Sequence, residues 1–129
     1  MNKILVEVSI GELLDKLSIL EIKQEKIKDS EKLKYINNEY NVLRNQFSKN
    51  VKSDDKINKL FDSLKEINSK LWVIEDEKRM CEKKSDFGES FIKLSRDIHF
   101  LNDDRAKIKL EINNYTGSKI KEIKEYTKY

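Results

Sequence analysis

Apolar residues recur along the chain at helical spacing, in stretches separated by short polar breaks. Ile10, Leu13, Leu14, Leu17, Leu20 and Ile27 mark the face of a first helix. Ile19 and Ile22 lie off that stripe and widen it, so this helix is predicted to be the most buried. Ser9 and Glu12 have the spacing of a capping box, and Val8 and Leu13 occupy the positions of a hydrophobic staple. Ahead of them, residues 3–8 are rich in branched apolar side chains, with Ile4, Val6 and Val8 on one side. They read as a short strand or a packed arm.

Asp29 and Ser30 break the first pattern, with Ser30 as the next candidate cap. Leu33, Ile36, Tyr40, Leu43 and Phe47 then follow at alternating steps of three and four, a heptad seam. Residues 48–53 lose the pattern and read as a loop, and Ser53 with Asp54 and Asp55 opens a third helix. That helix carries Ile57, Leu60, Leu64, Ile67, Leu71, Ile74, Lys78 and Cys81 in heptad register. A fourth carries Phe87, Phe91, Leu94, Ile98, Leu101, Arg105, Ile108, Ile112 and Tyr115. At about 1.5 Å rise per residue, each is roughly 45 Å long. Residues 83–86 join them, with Asp86 and Glu89 spaced as a second capping box. So short a connection makes the two helices antiparallel neighbours. Gly117 suits the left-handed position that closes a helix, and 118–129 suggests one or two further amphipathic turns through Ile120, Ile123 and Tyr126.

The expected fold is therefore all-α. It is an antiparallel helical bundle of one domain, built on a long coiled-coil-like hairpin with a short extended N-terminal arm. Because a hairpin alone leaves half its apolar surface wet, the first two helices or another chain must cover it.

Composition agrees: 40% of the 129 residues are charged, 37% are hydrophobic, and there are three glycines and no proline. A chain so poor in turn formers does not suit an all-β fold. The net charge of +3 is a small excess in a mixture whose signs alternate, as in Asp103, Asp104 and Arg105. That pattern is a solvated helix surface, and it argues against nucleic acid as a partner. The single cysteine, Cys81, allows no intramolecular disulfide and, with one histidine, no familiar metal set. No apolar run reaches membrane length, and the apolar start is broken by Glu7. We therefore expect a cytoplasmic protein without a membrane span and without a cofactor.

Candidate chemistry lies where charge interrupts the seams, at Lys78 and Arg105. Asn102, Arg105, Lys109 and Asn113 make one polar stripe on the fourth helix. Glu75, Asp76 and Arg79 form a second charged group near Trp72, which is either core or a stacking surface at a pocket edge. The first helix adds Asp15, Lys16, Glu21 and Lys23, some of which must point inward. With the turn near 84–86, antiparallel partners place Arg105 opposite residues 64–66. One reading pairs Arg105 with Asp15 or Glu66 to fix register. The other makes Lys16, Arg105 and Lys109 a cationic inter-helix pocket for an anionic small molecule. Asp86-Phe87-Gly88 matches a kinase tripeptide in letters alone, since no phosphate loop accompanies it.

Four stretches together resemble a small uncharacterised family of bacterial proteins. They are Val6-Glu7-Val8-Ser9-Ile10-Gly11-Glu12-Leu13-Leu14-Asp15-Lys16-Leu17, Ile19-Leu20-Glu21-Ile22-Lys23, Leu71-Trp72-Val73-Ile74-Glu75-Asp76, and Asp104-Arg105-Ala106-Lys107-Ile108-Lys109-Leu110-Glu111-Ile112-Asn113. The resemblance implies a single helical domain of no established activity, associated loosely with gene neighbourhoods for surface polysaccharide and glycosyl transfer. It also implies that these charged residues belong to a shared site or core network. Two functions follow. The first is an interaction or adaptor module that uses heptad surfaces to bind a second copy or a partner protein. The second is a small helical enzyme or ligand-binding protein whose pocket is lined by Lys16, Lys23, Arg79, Arg105 and Lys109.

Overall fold

A computed structural model describes residues 2–129. Four helices follow one another: α1 (Ile10–Lys26), α2 (Ser30–Asn50), α3 (Asp55–Lys83) and α4 (Glu89–Thr116). No strand occurs among the described residues, and residues 2–9 carry no regular secondary structure, with Ile4, Leu5 and Val6 exposed.

The first three helices begin where a side chain replaces a missing backbone partner. Ser9 caps α1, its Oγ accepting from the Glu12 amide at 3.0 Å, as the capping box requires. The next two starts differ by one residue from expectation. Asp29, not Ser30, caps α2, and Asp54, not Ser53, caps α3; each carboxylate accepts the amide three residues on. A carboxylate adds a favourable interaction with the helix dipole, which a hydroxyl lacks. The Asp86–Glu89 capping box does not form either. Gly88 stands at the cap position of α4 without a side-chain bond, and Asp86 Oδ1 accepts from the Gly88 amide instead. Helix α2 also continues through residues expected to be loop, ending at Asn50. Gly117 closes α4 with φ 68°, a left-handed conformation that suits glycine.

The arrangement centres on α1, which contacts all three other helices, while α3 and α4 pair with each other. The α1–α2 hairpin is antiparallel: Gln24 bonds Asn37 and Tyr40 bonds Glu21. Leu13, Leu14 and Leu17 of α1 meet Phe47 of α2, Ile57, Leu60 and Leu64 of α3, and Ile112 of α4 in one core. At about 25 cal/mol per Å2 of apolar surface removed from water, such contacts are the main stabilising term. Glu21 joins three helices, accepting from Tyr40 at 3.0 Å and from Lys65 at 3.2 Å.

Coverage by α1 stops part-way along the hairpin. Beyond it Val73, Met80, Phe87 and Ile92 are exposed, and α3 and α4 continue as a two-helix projection. The C-terminal segment, 118–129, is not helical. It returns along α4, with Ser118 at the start of α1, Lys121 on Asn114, Glu122 on Lys109, and the Tyr129 hydroxyl on Asp103. With Ile123 and Tyr126 exposed, the segment gains little by burying an amphipathic face, so polar anchors hold it extended.

Candidate functional site

Helix α1 docks its first turn against the end of α4. The Gly11 amide donates to Asn113 Oδ1 at 2.7 Å, and the Ile10 amide to Ser118 Oγ at 3.2 Å. With Ser9 serving Glu12, side chains thus satisfy three successive amide donors at the start of α1. The approach is close enough that a Cβ on Gly11 would lie 2.5 Å from the Lys109 carbonyl oxygen. Only glycine fits there.

One turn further on lies a buried charge network. Asp15, 1% exposed, accepts from Arg105 Nε at 3.0 Å and from Arg105 Nη2, a two-pronged pairing. Asp15 Oδ1 also accepts from Asn68 Nδ2 at 2.8 Å, and the same nitrogen donates to Ser18 Oγ at 2.8 Å. Ser18 in turn donates to the Asp15 carbonyl at 2.7 Å. Beside this group, Lys109 Nζ donates to Glu12 at 2.7 Å and to Glu122 at 2.8 Å, and lies 4.0 Å from Asp15. Two cations therefore sit among three carboxylates. The bond from Asp15 holds the Arg105 guanidinium above its ordinary range. Burial alone would pull the Lys109 ammonium down, but its bonds to Glu12 and Glu122 outweigh that and raise it. Glu122 is correspondingly lowered by the bond from Lys109. Both cations stay charged near neutral pH.

Arg105 also faces outward, its side chain 29% exposed, into a cleft between α1, α3 and α4 of about 380 Å3. Ile19, Ile22 and Leu71 form its apolar part, with Trp72 beside them. Asn68, Asn102, Arg105, Arg79, Glu75 and Asp76 supply polar groups. The volume falls in the range of small-molecule sites, about 300–1,000 Å3. Among the described residues no cluster of His, Cys, Asp or Glu is placed to hold a metal ion.

The Family of unknown function (DUF6165) matches residues 4–129. The chain belongs to that family. No curated protein and no solved structure matches it.

In this member of the family, the residues expected to form one site divide into three groups. Trp72, Glu75, Asp76, Arg79 and Arg105 line the cleft. Asp15, Lys109 and Asn113 lie in the buried joint behind it, with Arg105 shared between the two. Lys16 and Lys23 line neither: Lys16 is half exposed, 3.9 Å from Glu12, and Lys23 is half-buried in the last turn of α1. Of the five cations expected around one pocket, Arg79 and Arg105 line the cleft, together with Glu75 and Asp76. Arg105 takes Asp15 as its partner, while Glu66 pairs with Lys70 at 3.5 Å on its own helix. The level of Arg105 is shared with Asn68, one turn beyond the expected residues 64–66.

Asn68, Ser18, Glu12 and Glu122 are the contributors that pattern reading missed, while Asn102 lies on the expected polar stripe. Asn68 carried a usable signal: Leu64, Asn68 and Leu71 are all buried, at steps of four and three, while Ile67 of the expected seam is only half-buried. An asparagine on the row that faces α1 is a polar core position.

Proposed function

We propose that the chain is a ligand-binding protein whose inter-helix cleft takes a small molecule with one anionic group and a hydroxyl-rich or zwitterionic remainder. The observation that carries this reading is the fixed pose of Arg105. Nε and Nη2 are both committed to Asp15, leaving Nη1 with only a 3.5 Å contact to Asn102. A guanidinium clamped on one edge presents the other without an entropic cost of ordering, which favours planar anions. Arg79 adds a second cation, and Glu75 and Asp76 supply acceptors for hydroxyl or amine groups. Trp72 offers an apolar face against which a ring can lie. With Arg105 offset by Asp15, and Glu75 and Asp76 beside Arg79, the cleft does not suit a polyanion. The polysaccharide association of the resemblance makes sugar phosphates and sugar acids the first class to try. The half-buried lone cysteine is in keeping with a cytoplasmic protein.

A thermal-shift screen of the full chain against sugar phosphates, sugar acids and dicarboxylates tests this. We expect a concentration-dependent rise in Tm for one class, since a ligand that binds only the folded state stabilises it by about 2.7 kcal/mol at 100 times Kd. The rise should vanish in Arg79→Ala, an exposed position whose loss leaves the core untouched. No response to any of these classes at millimolar concentration, or a response unchanged in that variant, sinks the reading.

A second reading, the interaction module, rests on a different observation. Val73, Met80, Phe87 and Ile92 leave exposed apolar side chains on the projecting end of the α3–α4 hairpin. Such a surface suits a second copy or a partner helix.

A further inference from the structure

The C-terminal segment encloses a second cavity against α4, on the side of Lys109 from which Glu122 reaches in, with a volume of about 480 Å3. Its lining differs in kind from that of the cleft. Lys107, Lys109, Lys124 and Lys128 face two carboxylates, Asp103 and Glu122, and the rings of Tyr126 and Tyr129 join Ala106 and Leu110 as apolar walls.

We propose that this cavity is a second binding site, for a small molecule that carries an aromatic ring and at least two negative charges. Glu122 already plays the part of such a ligand. Its carboxylate reaches in from the segment to Lys109 Nζ at 2.8 Å, and its other oxygen is 3.6 Å from Lys124. The segment that delivers it is lightly held. Ile123 and Tyr126 are exposed, and between buried Ser118 and the seated Tyr129 ring its anchors to α4 are polar contacts at Lys121 and Glu122. An incoming anion therefore displaces one carboxylate from a buried ammonium without unfolding a helix. Lys107 and Lys128 make no ion pair among the described residues, so they are free to meet further negative charge. Tyr129 is seated by a tilted contact with His99 and an edge contact with Phe100, which leaves Tyr126, 70% exposed, as the ring able to stack on an aromatic ligand.

The test uses the full chain with ADP as the probe, followed by calorimetry and by backbone amide NMR shifts. We expect binding with shifts confined to residues 103–110 and 118–129, and affinity at least fivefold weaker for pyrophosphate, which lacks the ring. Lys124→Ala combined with Lys128→Ala, both on the non-helical segment, should weaken ADP binding at least tenfold. Glu122→Ala should strengthen it severalfold by removing the internal competitor. Absence of ADP binding overturns the proposal, as does equal affinity for pyrophosphate, indifference to these substitutions, or shifts confined to Trp72 and Arg105. Shifts of that last kind would place the anion in the cleft instead, so the two sites succeed or fail separately.

Discussion

Asp15 shows how one residue can hold a fold and pose a site. Its carboxylate is buried to 1% exposure, which would be prohibitive without partners, yet Arg105 and Asn68 supply three hydrogen bonds between them. Removing one member of a buried pair costs about 3–5 kcal/mol, because the other charge is left stranded. Arg105→Leu should therefore destabilise the chain by about 3 kcal/mol, the low end, since Asn68 remains on Asp15 and Lys109 stands 4.0 Å away. Asp15→Leu together with Arg105→Leu should recover most of that loss, as apolar replacement of a whole buried pair is often neutral. Urea unfolding of both variants reads this directly. A single Arg105→Leu variant as stable as the parent would mean that the pair does not hold α1 in place. That Arg105 sits on an apolar face was legible from its place in the seam, but the sequence left Asp15 and Glu66 both open as its partner. The caps of α2 and α3 were legible only to within one residue, because Asp29 precedes Ser30 and Asp54 follows Ser53, and both residue types cap.

At the scale of elements, the joint between α1 and α4 is set by a missing side chain. Gly11→Ala would place a Cβ 2.5 Å from a backbone oxygen and 2.9 Å from Asn113 Oδ1. Backbone cannot step aside as a side-chain tip can, so the two helices must separate and stretch the Gly11–Asn113 bond. We expect a loss of about 1–3 kcal/mol from this overpacking, measured as a lowered midpoint in denaturant. A midpoint at or above that of the parent would show that the helices tolerate a wider spacing. Periodicity identified α1 and its buried face, since Leu13, Leu14, Leu17 and Leu20 all lie inside. It could not reveal the close approach, because a glycine in a helix looks the same whether it faces solvent or another backbone. The C-terminal segment misled for a related reason. Ile120, Ile123 and Tyr126 repeat every three residues, yet without a partner surface an amphipathic dozen residues does not sustain a helix.

Across the whole molecule, burial is uneven. The core collects around α1, while the α3–α4 hairpin extends past it with Val73, Met80, Phe87 and Ile92 open to solvent. Heptad spacing runs the full length of both helices, so the sequence pattern alone does not say where coverage ends. If the projecting end is an interface, sedimentation equilibrium should show a mass that rises with concentration, and Phe87→Ser with Ile92→Ser should return it to that of one chain. A single-chain mass at every concentration would remove the second copy as the occupant of that surface. The architecture was legible because helical periodicity is local. The composition of the cleft and the buried joint was legible only in part, since their hydrogen bonds join residues 53, 90 and 97 positions apart.

One consequence concerns the order in which the chain becomes complete. The opening turn of α1 owes two of its hydrogen-bond acceptors to Asn113 and Ser118, 102 and 108 positions downstream of the amides they serve. During synthesis the first helix leaves the ribosome with its beginning unfinished, and residues made 102 and 108 positions later supply the missing acceptors. The bundle is sealed where the start of α1 meets the end of α4.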